Sequence, residues 1–169
     1  MPVLVLARHA KAARPPVADV DRPLTEAGEI EAARAGEHLA GLPLTHLVAS
    51  AALRTVQTGE AVVAALGRAA GPAGREAPRL LTDRALYESG IEDWLEVIRT
   101  IPAEAPGAYI VGHEPTVSAV IGHLCPGFGV PERFRPSSIA VFDLPSWDVE
   151  PGDYPTPEIR CFRDASRAG

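Results

Sequence analysis

The chain has 169 residues, a mass of 17.8 kDa, 46% hydrophobic and 22% charged residues, the size and balance of one globular domain. Acidic residues outnumber basic ones 22 to 16, a net charge of −6, which argues against a nucleic-acid binder, since those domains are usually basic. No run approaches the ~20 apolar residues that span a bilayer, the apolar start is too short for a signal peptide, and Cys125 and Cys161 make neither a disulfide framework nor a zinc finger. The expectation is a cytoplasmic protein with one domain over residues 1–164 and a frayed tail over 165–169, without nucleic-acid or membrane partners.

Val3 to Ala7 is a continuous apolar run, the signature of a strand buried on both faces. Pro15, Pro16 and Pro23 make the next segment a loop. Thr25 caps a helix starting at Glu26, with Ile30, Ala33, Leu39 and Ala40 as its apolar face and Gly41 at its end. A second strand centres on Leu47-Val48-Ala49. Ser50 then reads as the cap of a helix with Leu53, Val56, Val63 and Leu66 on one side. Residues 67 to 79 read as an exposed loop, and Leu80 to Leu86 as a short strand. Ile91, Trp94, Leu95, Ile98 and Ile101 repeat at helical spacing. Ala108 to Val111 is a third buried strand closed by Gly112, and Pro115 suits the first turn of the helix after it. Ser138 to Leu144 and Glu158 to Arg163 read as two more strands.

Strands alternating with helices predict an α/β fold, a mostly parallel sheet covered on both faces. Ligands of such sheets bind outside the carboxyl ends of the strands. Arg8 and His9 follow the first strand. Ser50 follows the second, with Arg54 one helical turn on. Gly112 and His113 follow the third. Two guanidiniums match the oxygens of a phosphate, and helix amino ends after Ser50 and Pro115 would add oriented N–H groups. A neutral imidazole beside them can attack phosphorus, and the fixed cations disfavour its protonation. With that much fixed positive charge no Mg²⁺ is required, and no cofactor is expected.

Arg8-His9-Ala10-Lys11-Ala12 resembles the opening motif of the histidine phosphatase (phosphoglycerate mutase-like) superfamily. Asp21-Arg22-Pro23-Leu24-Thr25, with Gly28 after it, is similar to the segment that follows. Ser50-Ala51-Ala52-Leu53-Arg54-Thr55-Val56-Gln57-Thr58 is similar to the family's Ser-Pro-x-x-Arg-Ala-x-x-Thr, with Ala51 in place of Pro. Val111-Gly112-His113-Glu114-Pro115 resembles its Gly-His-x-Pro. The short length and the Arg-Pro-Leu-Thr segment resemble the SixA-type phosphohistidine phosphatase branch. The resemblance implies a three-layer α/β/α sandwich, His9 as the phosphorylated nucleophile, and Arg8, Arg54 and His113 as the rest of the phosphate pocket. It implies a hydrolase that takes phosphate from phosphohistidine of a protein partner. A phosphatase of small esters or nucleotide diphosphates, and a non-catalytic phosphate-binding protein on the same fold, are the alternatives.

Glu88 and Glu114 are the candidates for a proton donor to the leaving group. Lys11 and Ser50 are second-tier substrate-binding candidates. His38 and His46 read as surface residues, and His123 with Cys125 is a poor metal-ligand set.

Overall fold

The computed structural model describes residues 1–73, 76–129, 134–152 and 154–163; the expected tail over 165–169 lies outside them. Six strands and four α-helices form a three-layer α/β/α arrangement. In chain order these are β1 (Val3–Arg8), α1 (Glu26–Leu39), β2 (His46–Ser50), α2 (Leu53–Ala70), β3 (Leu80–Asp83), α3 (Ile91–Arg99), β4 (Gly107–Gly112), α4 (Thr116–Leu124), β5 (Ser138–Asp143) and β6 (Glu158–Cys161). The sheet order is β3-β2-β4-β1-β5-β6. The four strands from β3 to β1 run parallel, while β5 and β6 add on antiparallel.

Alternation along β1 divides the core. Leu4 and Leu6 face α3 and α4, packing with Trp94, Ile98, Val117, Ile121 and Leu124. Val5 and Ala7 face the other layer, with Leu39, Val62 and Leu66. The central strands are buried on both faces, which is why they read as unbroken apolar runs.

Thr25 caps α1 as expected, its side chain accepting from Gly28 N. The faces of α1 and α2 differ from their hydrophobic pattern. Ile30 is 37% exposed and Leu53 39% exposed. The buried positions are Gly28, Glu31, Ala32, Ala35, Gly36 and Leu39 on α1, and Arg54, Thr55, Thr58, Gly59, Val62, Ala65 and Leu66 on α2. The physical reason is close helix approach. A Cβ on Gly36 would meet the Ala61 carbonyl and the Ala65 methyl. Small residues at that contact outrank large ones in deciding which face turns inward.

Three boundaries also move. α2 continues to Ala70, so the expected loop begins later. Ser50 does not cap α2: it is the last residue of β2, and Ala52 holds the cap position without a side-chain bond. The segment 80–86 divides into β3 and a 3-10 turn, Arg84–Leu86. Trp147, in a late loop, is buried and donates to the Ala105 carbonyl at 3.1 Å.

Candidate active site

Register places the chemistry at one edge. Arg8 pairs with Gly112 across β1 and β4, and Ala49 with Val111 across β2 and β4. The carboxyl ends of three adjacent strands therefore present Arg8-His9, Ser50 and Gly112-His113 together. Gly112 is required by packing, because a Cβ there would run into the Trp94 ring. A cavity of about 300 Å³ opens at this edge, lined by Arg8, His9, Lys11, Ala12, Arg14, Arg22, Arg54, His113, Glu114 and Pro136.

His9 is held from every side. Its N–H donates to Gly112 O at 3.1 Å, and its carbonyl accepts from Ser137 N at 3.1 Å. Ser137 sits at φ 65° and donates its hydroxyl to buried Glu31 at 2.9 Å. The His9 Nδ1 lies 2.7 Å from Ala10 O. A carbonyl only accepts, so Nδ1 carries the proton and Nε2 keeps its lone pair. Burial pushes the His9 imidazole down to about 3, a shift eased by the Ala10 carbonyl and reinforced by Arg54, His113 and Arg8.

Arg54 is 6% exposed. It donates Nη1 to Asp19 O at 2.7 Å and Nη2 to Asp19 Oδ2 at 3.0 Å. Its Nη2 also lies 3.2 Å from His113 Nδ1, which must accept. His113 Nε2–H then donates to Ser50 Oγ at 2.9 Å. The two histidine rings lie 5.5 Å apart. Burial, with Arg54, pushes His113 down to about 4. Both imidazoles are therefore neutral near pH 7.

Arg8 donates Nη1 to Phe134 O at 2.9 Å. Burial lowers its pKa, and Glu114 opposes that. The Nε groups of Arg8 and Arg54 are buried with no hydrogen-bond partner. Both guanidiniums line the cavity, and their charge suits an anion.

Thr58 links helix to nucleophile: its hydroxyl donates to Arg54 O at 2.7 Å and accepts from Ala10 N at 3.0 Å. Ser50 turns to His113. The first turn of α4 spends Val117 N on His113 O and Ser118 N on Glu114, so those groups do not reach the cavity.

The two carboxylate candidates separate. Glu88 is exposed, has φ 53° and does not line the cavity. Glu114 lines it, but accepts from Ser118 N at 3.0 Å and from Ser118 Oγ at 2.6 Å.

The carboxylate that does engage the site is Asp19, which sequence reasoning missed. It binds Arg54, Arg22 Nη1 at 3.0 Å and Tyr87 OH at 2.8 Å. The Tyr87 hydroxyl first, then Arg22 and Arg54, hold Asp19 well below the usual carboxylate range. Its signal was the i, i+3 spacing to Arg22. Arg14, Arg22, Tyr87 and Glu31 were missed as well, being scattered over loops and a helix face.

A larger cleft, about 400 Å³, lies by the amino ends of β2 and β4. Among the described residues that line it, Thr45 and Glu76 alone have polar side chains, and none is a cation. Among the described residues no three His, Cys, Asp or Glu side chains are placed to hold a metal ion. No helix of these residues is long and apolar enough to cross a membrane.

The model of the histidine phosphatase superfamily (branch 1) matches residues 4–94. The fold is similar to that of a protein assigned as the phosphohistidine phosphatase SixA of Nakamurella multipartitia, with TM-score 0.73, 30% identity, and coverage of 94% of this chain and 93% of that one. It is similar to the one so assigned in Agrobacterium tumefaciens, with TM-score 0.73, 28% identity, and coverage of 86% and 94%. It is also similar to the protein histidine phosphatase SixA complexed with tungstate, with TM-score 0.69, 25% identity, and coverage of 84% and 88%. Comparison with curated proteins returned no match.

Proposed function

We propose, for a chain that belongs to the histidine phosphatase superfamily, that its phosphatase activity removes phosphate from phosphohistidine borne by a protein, without a metal ion, through a covalent intermediate on His9. In the first step His9 Nε2 attacks phosphorus as the bond to the substrate nitrogen breaks. Arg8 and Arg54 face the oxygens where negative charge gathers, their cost of orientation already met by the fold. In the second step water attacks phosphorus, the bond to Nε2 breaks, and inorganic phosphate leaves with the water's oxygen.

The observation that carries the substrate choice is that no carboxyl group among the described residues is placed at the cavity as a free proton donor. Glu114 is occupied as an acceptor by Ser118, Asp19 is held ionised, and Glu88, exposed beside Tyr87, does not line the cavity. An alkoxide leaving group needs a proton in the transition state. A phosphohistidine already protonated on its other ring nitrogen leaves as neutral imidazole and needs none. Similarity to the SixA proteins supports the same reading. The fixed arginines supply the charge that a metal would otherwise supply.

Turnover of a phosphohistidine peptide, set beside that of a phosphate monoester, tests this. The expected result is preference for the peptide, retention of activity in EDTA, and loss in His9→Ala by at least about a thousandfold. Preference for the ester would favour the small-molecule reading. Full activity in His9→Ala would refute the covalent mechanism.

A further inference from the structure

Among the described residues the cavity is lined by five cations, Arg8, Lys11, Arg14, Arg22 and Arg54, and one carboxylate, Glu114, with Asp19 paired to Arg22 and Arg54 behind them. Setting those five and that one aside leaves 11 basic and 21 acidic residues in the rest of the chain. One positive face thus stands on an otherwise acidic protein.

The five have different occupations. Arg8 and Arg54 belong to the phosphate pocket. Arg22 is tied to Ala13 O at 2.9 Å and to Asp19. The side chains of Lys11 and Arg14 make no hydrogen bond or ion pair among the described residues, and Arg14 is exposed. Asp19 is spent on its three partners, leaving Asp21 as the other carboxylate on this segment.

The segment carrying these two cations is fixed. Lys11 O accepts from Thr25 N at 2.9 Å, Ala13 N donates to Pro23 O at 2.8 Å, and Ala12 bridges Leu24. Gly28 packs directly on the Lys11 carbonyl, where a Cβ would not fit. A fixed ledge loses little backbone entropy when it engages a ligand.

Apolar surface lies beside it. Val17, 50% exposed, sits two residues before Asp19, and Leu53, 39% exposed, adjoins Arg54. They are two of the five exposed large hydrophobic residues described. A cationic rim, with exposed apolar residues close in sequence to residues of the site, fits a macromolecular surface better than a small ester, which the cavity would already contain.

We propose that the protein partner presents its phosphohistidine within an acidic surface, and that Lys11 and Arg14 read that acidity. This rests on the phosphohistidine reading above. Rim charges act chiefly on encounter rate and its salt dependence.

Three phosphohistidine peptides of equal length, with acidic, neutral and basic flanks, test it in the wild type and two double variants. At low salt kcat/KM should favour the acidic over the neutral peptide by about tenfold, and the ratio should shrink as salt screens the rim. In Lys11→Gln/Arg14→Gln the ratio should fall to within about twofold. In Lys11→Glu/Arg14→Glu the basic peptide should become the preferred one. Equal turnover of the three peptides by the wild type, or a preference that survives in both double variants, overturns the proposal while leaving the phosphohistidine reading intact. Hydrolysis of a monoester with no turnover of any of the three peptides overturns the phosphohistidine reading, and this proposal with it.

Discussion

Acidification should destabilise this protein well above the pH at which its carboxylates titrate, because two histidines are held neutral in the native state. Burial pushes His9 down to about 3 and His113 down to about 4, from 6.5. Below pH 6.5 the unfolded chain takes up a proton at each site and the native chain does not. Stability therefore falls as pH falls, and the loss levels off only as the native values are reached. At about pH 5 an imidazole kept neutral forfeits about 2 kcal/mol. That figure applies to His9; His113 is more open to water, and about 1 kcal/mol is a fairer share. The pair together should lose about 3 kcal/mol between about pH 7.5 and about pH 5. Burial lowers the His46 pKa also, which adds in the same direction. Asp19, whose pKa is depressed, contributes its own loss only at lower pH. Urea unfolding at the two pH values measures the effect. A loss of that size moves the midpoint by roughly 1.5 M for an m-value near 2 kcal/mol/M. His9→Gln removes one titration, so its loss should be smaller by about 2 kcal/mol. Equal losses in wild type and His9→Gln would refute the reasoning, since His9 would then protonate alike in both states.

Asp19→Ala should lower kcat about tenfold with little rise in KM, because Arg54 keeps its charge and its bond to the carbonyl of residue 19 but loses the carboxylate that fixes its Nη2; Asp19→Asn, which can still accept from Arg54, should recover part of the loss, and a rise in KM alone would argue against positioning. Glu31→Ala should cost about 2–3 kcal/mol in urea unfolding by leaving the buried Ser137 hydroxyl unpaired and a cavity behind, with a parallel drop in kcat because Ser137 N–H holds the His9 carbonyl. Gly112→Ala should cost about 1–3 kcal/mol by overpacking against Trp94, and Trp94→Phe in the same chain should restore part of it; additive costs in the double variant would show that the two residues do not clash.

The strand ends were legible from sequence for a physical reason. A parallel strand buried on both faces reads as an apolar run, and the first polar residue after it stands at the sheet's carboxyl edge. Arg8, His9, Ser50, Arg54 and His113 were found that way, before any family resemblance was weighed. The inward face of α3 was legible from its apolar spacing, but those of α1 and α2 were legible only in part, because hydrophobic size is a poor guide where two helices approach through Gly36 and Ala65. Asp19 escaped for another reason. It lies on a short 3-10 turn, Asp19–Asp21, with no period to mark an inward face, and its meaning comes from partners at positions 22, 54 and 87. Ser50 was assigned to a helix cap by residue type, yet its hydroxyl answers His113 across the sheet. Local propensity cannot report a partner sixty residues away.

In the covalent mechanism proposed above, the 2.7 Å contact between His9 Nδ1 and the Ala10 carbonyl would also fix the regiochemistry of the intermediate. With that nitrogen committed as a donor, phosphorus can bond only to the other one, giving the tele isomer and never the pros isomer. The enzyme trapped in mid-reaction would carry a single, defined phosphoramidate, one that survives an alkaline quench and is lost in acid, and recovery of the pros isomer on His9 would contradict this tautomer.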